Sequence, residues 1–198
     1  MISLALILKF IVAAVSAGTP LLFGTVGEIL SEKVGHLNLG VEGMMAIGAV
    51  AGFAAGYGTG NLAAAMIAAF IAGMLAALIY AVLTVGFMAN QNVIGLTLTI
   101  FGVGLSNFIG VYMIDKTESN TWQLPAALIA QMKNIRIPVL TDIPVLGKLL
   151  FNYDPFTYVG IIIALACGWY LFHTKAGLNT QAIGENPSAA DAASIQVT

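Results

Sequence analysis

Charge is what this sequence has least of. Only 8% of its 198 residues are Asp, Glu, Lys or Arg, where a soluble domain carries about 25%. That scarcity excludes an ordinary soluble domain. The formal charge of -2, with its basic residues scattered, also excludes a nucleic-acid surface and a polybasic lipid anchor. Cysteine is nearly absent: Cys167 stands alone inside an apolar run, so no internal disulfide and no cysteine-based metal centre can form, and it is read as a packing residue. The chain has no P-loop, no His-Glu-x-x-His pair and no Gly-x-Ser-x-Gly elbow, the motifs that would mark phosphate binding, zinc hydrolysis or a nucleophilic serine. No catalytic residue, metal ligand or cofactor is therefore assigned. The energy for any work must come from a gradient or a partner.

What is present is apolar. Hydrophobic residues make up 59% of the chain and its mean hydropathy is +0.95, which places it in a membrane. The 22 glycines lack a period and the 6 prolines are few, which suits helices that approach each other through small faces and excludes a collagen-like or low-complexity chain. The N-terminal "MISLALILKFIVAAVSAGTPLLFG" has the greasiness of a signal peptide. However, its charge, Lys9, sits inside the apolar run, which continues past Pro20, so it reads as a first membrane span bent near Gly18-Thr19-Pro20.

A bilayer core needs about 20 apolar residues in a helix. Stretches 4–30, 39–57, 62–88, 93–113 and 155–173 meet that length and predict an all-α, polytopic bundle of about five transmembrane spans. Short polar connections separate the first four spans. The fourth and fifth are joined by a long loop, 114–154, in which Leu124 to Met132 predicts a short surface helix and Ile137-Pro138 and Ile143-Pro144 force extended turns. Small residues recur every fourth position at Gly48, Gly52 and Gly56, and again at Gly102, Ser106 and Gly110, which predicts close helix packing. The long loop carries Lys116, Lys133, Arg136 and Lys148 against Lys33 and Lys175 on the other side, so the positive-inside rule alone would put the loop in the cytoplasm.

Polar groups within or beside the spans are the functional candidates. Glu28, Glu32 and His36 follow at one-turn spacing, a pattern open to a metal or proton site and equally to a solvated interfacial turn. Asn38 and Glu42 flank the start of the second span. They fit a polar permeation path or a helix-start network, with Asn38 as cap and Glu42 near the positive helix end. Asn107, Thr97 and Thr99 in the fourth span could face a polar path, bond between helices, or bond back to their own backbone.

Two segments carry a resemblance. "TPLLFGTVGEILSEKVGHLNLGVEGMMAIGAVAGF", residues 19–53, contains Thr19-Pro20-Leu21, Ser31-Glu32-Lys33-Val34-Gly35 and the run Asn38 to Met45. It resembles the N-terminal part of inner-membrane permeases of binding-protein-dependent ABC importers, in the subgroup for simple sugars and nucleosides, related to branched-chain amino acid permeases. "GLNTQAIGENPSAADAASI", residues 177–195, resembles that family's cytoplasmic loop, whose Gly-Glu-Asn-Pro opens an alanine-rich coupling helix. Residues 137–151 resemble its long external loop.

The resemblance implies a coupling segment within 174–198, made by Gly184, Glu185, Asn186, Pro187, Ala189, Ala190 and Asp191, that docks on an ATP-binding cassette subunit. It also implies a second permease subunit, an extracytoplasmic substrate-binding protein, surrounding membrane lipid, and a path past Asn38, Glu42 and Asn107. Under it the N-terminus lies outside, 114–154 is external and 174–198 is cytoplasmic, against the charge count. Asn186 is a good cap and Pro187 a good first residue for the helix that follows. Asn179, Thr180 and Gln181 stand where the family usually has arginines, and Ser194 stands where it usually has glycine. Such permeases continue through further spans, so the resemblance implies an N-terminal fragment or a truncated product. A gradient-driven carrier or channel subunit is the alternative, although the charges cluster near span ends and no repeat relates the spans. A scaffold role is the third reading.

Overall fold

The computed structural model describes residues 4–117, 121–132 and 146–196, and these residues are helical with no strand. Five helices are long and apolar enough to cross a membrane. The chain divides into two compact units, one of residues 36–131 and one of residues 1–35 with 132–198.

The first of these units is built on α2 (Val41–Thr59), α3 (Leu62–Ala81) and α4 (Gln91–Asp115). Gly60, at φ 62, ends α2 in the left-handed region that glycine reaches without strain. Asn61 then caps α3 by accepting from the Ala63 N–H at 2.9 Å. Gly48, Gly52 and Gly56 lie against Ala69 and Ala65 of α3 in reverse order, so the two helices run antiparallel with backbones nearly touching. Gly43 and Gly102 do the same for α2 and α4, which run parallel. The predicted stripe of small residues on α4 makes a close helix contact at Gly102 but not at Gly110, where nothing lies within 4 Å of a side-chain position.

Met44, Ala76, Tyr80 and Leu98 form the small core, with Ile47 and Ile94 packed on it. Beyond Ala81 the chain makes one π-helical turn, Val82–Gly86. Residues 121–131 fold back on α2: Trp122 sets its ring edgewise 4.5 Å from Phe53, and α5 (Ala126–Gln131) buries Leu128 completely. The short helix foreseen at 124–132 is therefore present, but Leu124 and Leu128 fill the groove at Gly56 rather than lying on a free surface.

The other unit pairs α1 (Leu4–Lys33) with α7 (Pro155–His173). Pro20 is carried inside a continuous α1, so the predicted bend does not divide the span. Thr19 and Thr157, both buried, join the two helices through their hydroxyls at 2.9 Å. Thr157 also donates to Asp154, whose other carboxylate oxygen caps α7 through the Thr157 N–H. α6 (Leu146–Leu150) precedes this cap. Tyr153 there is buried, and its phenol is pushed above the ordinary value, first by burial and then by Tyr158. The Ile-Pro pairs and most of 137–151 lie outside the described residues.

Along the spans the large apolar side chains face outward: Phe70 is 72% exposed and Leu165 70%. Only 6% of the apolar window of α3 is buried. Such a surface is stable in lipid and would aggregate in water. The fold is an all-α, multi-pass membrane protein.

Candidate functional site

The candidate coupling segment is built from the end of α7. Thr174 closes that helix by donating to the Tyr170 carbonyl at 2.6 Å and opens α8 (Lys175–Glu185) by accepting from the Gly177 N–H at 3.0 Å. α8 thus turns back at once on its predecessor. A side chain at Gly177 would strike the Tyr170 carbonyl and come within 2.7 Å of Leu171 Cα, so only glycine permits the approach. One turn on, Gln181 donates its Nε2 to the Leu171 carbonyl at 2.6 Å. Gly184, two turns past Gly177 and on the same face, meets the end of α1, where a side chain would strike the Lys33 carbonyl and lie 3.0 Å from the Gly35 N. Glu32, Lys33, Gln181, Gly184 and Glu185 line a cleft of about 210 Å³ there.

Asn186 then serves two helices. Its N–H reaches the Ala182 carbonyl to finish α8, and its side-chain oxygen accepts from the Ala189 N–H at 3.0 Å to start α9 (Pro187–Ala192). Pro187 takes the first position, where its missing N–H has no partner to lose. α9 ends in a Schellman motif: the Ile195 N–H bonds the Ala190 carbonyl and the Ser194 N–H bonds the Asp191 carbonyl. Ser194 occupies the left-handed position at φ 62. Glu185, Asn186, Pro187, Ser188, Ala189 and Asp191 are exposed, and Ala190 is buried.

This arrangement amends the sequence reading in two ways. Gly184 and Glu185 belong to the last turn of α8, so the seven predicted residues are shared by two helices hinged at Asn186. Ala190 faces inward, while Pro187, Ser188, Ala189, Asp191 and Ala192 of α9 are exposed. Sequence reasoning missed α8, and with it Gly35, Gly177 and Gln181.

The second predicted group is only partly assembled. Asn38 does not cap α2, which starts at Val41 with Gly40 in the cap position and no side-chain cap bond. Its amide oxygen instead accepts the Gly40 N–H at 2.9 Å and its nitrogen reaches Met44 Sδ at 3.7 Å. Glu42 is exposed in the first turn of α2, at the favourable end of the helix dipole. Thr99 donates to the Leu39 carbonyl at 2.7 Å, whereas Thr97 bonds back to Val93 at the same distance, so one threonine ties two elements together and the other only its own helix. Asn107, exposed on α4, lies eight residues past Thr99, about 12 Å along the axis, and does not join Asn38.

The 37–40 segment is held by residues the sequence did not point to: Tyr80 donates to the Leu37 carbonyl at 2.8 Å, and Gln91 accepts the Leu37 N–H at 2.9 Å. The series Glu28, Glu32, His36 is broken, because α1 stops at Lys33 and Gly35 turns the chain at φ 92. Among the described residues no three His, Cys, Asp or Glu side chains could hold a metal.

Five apolar helices, followed among the described residues by a polar helix pair joined at Asn186, define a multi-pass membrane protein. The chain belongs to the family described as branched-chain amino acid transport system / permease component, whose model matches residues 10–198. It is 31% identical over 185 residues to the "Putative glucose ABC transporter permease protein TsgC13" of Haloferax volcanii, covering 93% of this chain and 54% of that protein. The nucleoside ABC transporter permease protein NupC of Lactococcus lactis is 30% identical over 90% of this chain and 56% of its own length. The guanosine ABC transporter permease protein NupQ of Bacillus subtilis is 34% identical over 96% and 60%. The chain thus spans somewhat over half the length of these relatives. No solved structure matches it.

Proposed function

We propose that this chain is part of a transmembrane permease subunit of an ABC importer for nucleosides or simple sugars, with ATP hydrolysed on a separate subunit. The observation that carries the reading is α9: a small-sided, exposed helix with its own caps at both ends, following a span whose exposed residues are mostly large and apolar. Such a helix has no packing role within the described residues that would require its outward face, and it suits insertion into a cleft on an ATP-binding subunit. Glu185, Ser188, Ala189 and Asp191 would make that contact, and Gly184, Asn186, Pro187 and Ala190 would set its position.

Docking there puts 174–198 in the cytoplasm, 114–154 outside and the N-terminus outside. A second permease subunit would complete the membrane dimer, and an extracytoplasmic binding protein would deliver the cargo. Glu42 and Asn107 are proposed to face the translocation path, with Asn38 fixing the backbone that presents Glu42. The names of the relatives support sugar or nucleoside as cargo. The test is ATP-dependent uptake of radiolabelled guanosine and glucose into proteoliposomes holding the full-length permease, its ATPase and its binding protein. Uptake of either that stops without ATP supports the importer; uptake driven by an ion gradient and indifferent to ATP would replace it with a secondary carrier.

A further inference from the structure

We infer that α1, α7 and α8 act as one rigid lever, so that a displacement imposed through α9 reaches two membrane spans, α1 and α7, together. The inference rests on the proposed ABC importer and goes beyond it by assigning the joint to Gly35, Gly177, Gln181 and Gly184.

The physical case is one of clearance. α8 is fixed at three points along one face. Gly177 presses on the Tyr170 and Leu171 backbone, Gln181 bonds the Leu171 carbonyl at 2.6 Å, and Gly184 presses on the end of α1. The last contact is backbone on backbone from both sides: a side chain at Gly35 would lie 3.4 Å from Gly184 Cα, and one at Gly184 would lie 2.9 Å from the Lys33 carbonyl carbon. Contacts of this kind have no flexible side chain between them to absorb motion, so the parts they join move together.

Gly35 can adopt the turn that brings the chain past Gly184 because its φ is 92, which a side chain would strain. α8 is also joined to α9 with no spacer, since Asn186 ends one and caps the other. A pull on α9 therefore meets its first compliant backbone at Asn186 and, beyond that, a bracket bolted to two spans. These glycines and Gln181 are positioning residues; none of them needs to touch cargo or nucleotide.

The test uses the full-length permease assembled with its ATPase, with Cys167→Ser and any other native cysteines replaced, and spin labels at Leu21→Cys and Leu178→Cys. Leu21 is 65% and Leu178 55% exposed, so labels there leave the joint alone. A rigid lever keeps the α1 to α8 distance constant within about 2 Å between the nucleotide-free and vanadate-trapped states. A change above about 5 Å, a full helical turn, would overturn it.

The second arm is Gly177→Ala, outside the docking residues 184–191. With α8 pushed off the end of α7, the ATPase still co-purifies and hydrolyses ATP, while ATP-dependent uptake of guanosine or glucose, whichever the unaltered transporter carries, falls about tenfold. Unchanged uptake would overturn the lever. If Gly177→Ala fails to assemble, the distance measurement decides alone. Absence of the ATPase from the unaltered preparation is a different failure, visible before any distance is read, and it removes the importer and the lever with it.

Discussion

Ser194 shows how a single residue departs from the best local chemistry. It occupies the left-handed position of the Schellman motif that ends α9, at φ 62, where glycine is the usual occupant and an L side chain costs about 1 kcal/mol. Ser194→Gly should therefore stabilise α9. Hydrogen exchange of the full chain should show the α9 amides protected about fivefold more, the equivalent of that 1 kcal/mol; equal exchange would mean the motif does not hold the helix end. The cap at the other end was legible in the sequence, because Asn followed by Pro before a run of alanines has few competing explanations. Asn38 was not. Its neighbour Gly40 is buried against α4, where the space left beside it is 3.3 Å to the Gly95 carbonyl. Tertiary packing therefore moved the helix start beyond Asn38 and left its side chain to close a turn. Thr97 and Thr99 illustrate the same limit: two residues of one type, two apart, whose different partners depend on which side of α4 meets residues 37–40.

At the scale of the element, close helix contacts make testable distinctions among glycines that look alike in sequence. A Cβ at Gly43 would lie 2.6 Å from Thr99 Cα, and one at Gly102 would lie 2.7 Å from Gly43 Cα, while Gly104 and Gly110 have nothing within 4 Å. Gly43→Ala and Gly102→Ala should each destabilise the protein by about 1–3 kcal/mol through overpacking. Gly104→Ala and Gly110→Ala should be neutral or slightly stabilising, since alanine is the better helix former by about 1 kcal/mol. Thermal unfolding in detergent separates the pairs; four equal midpoints would contradict the packing described. The spans themselves were legible because lipid demands long apolar runs. α8 was not, since "KAGLNTQAIGE" is polar, holds two glycines and lacks an apolar stripe. Its only sequence trace is Thr174 as a cap and the seven-residue spacing of Gly177 and Gly184. The π-turn at Val82–Gly86 likewise left no mark in a run that reads as plain apolar helix.

For the whole molecule, composition alone specified a membrane protein, and the described residues agree: their large apolar side chains point outward and their core is small. Membership of the permease family is equally firm, while orientation is a proposal that sets motif order against a small difference in lysines and arginines. Both the orientation and the importer mechanism require a cytoplasmic ATPase to reach residues 184–191. The most direct test is co-purification from cells of the tagged full-length permease with a co-expressed ATP-binding cassette subunit from the same organism, compared with a Glu185→Lys/Ala189→Trp variant, which reverses one exposed charge and adds bulk to the outward side of α9. The account predicts that the ATPase travels with the unaltered permease and is lost from a variant that still elutes as a single folded species. An ATPase that binds neither form, or binds both equally, would contradict it and leave α8 and α9 without a coupling role.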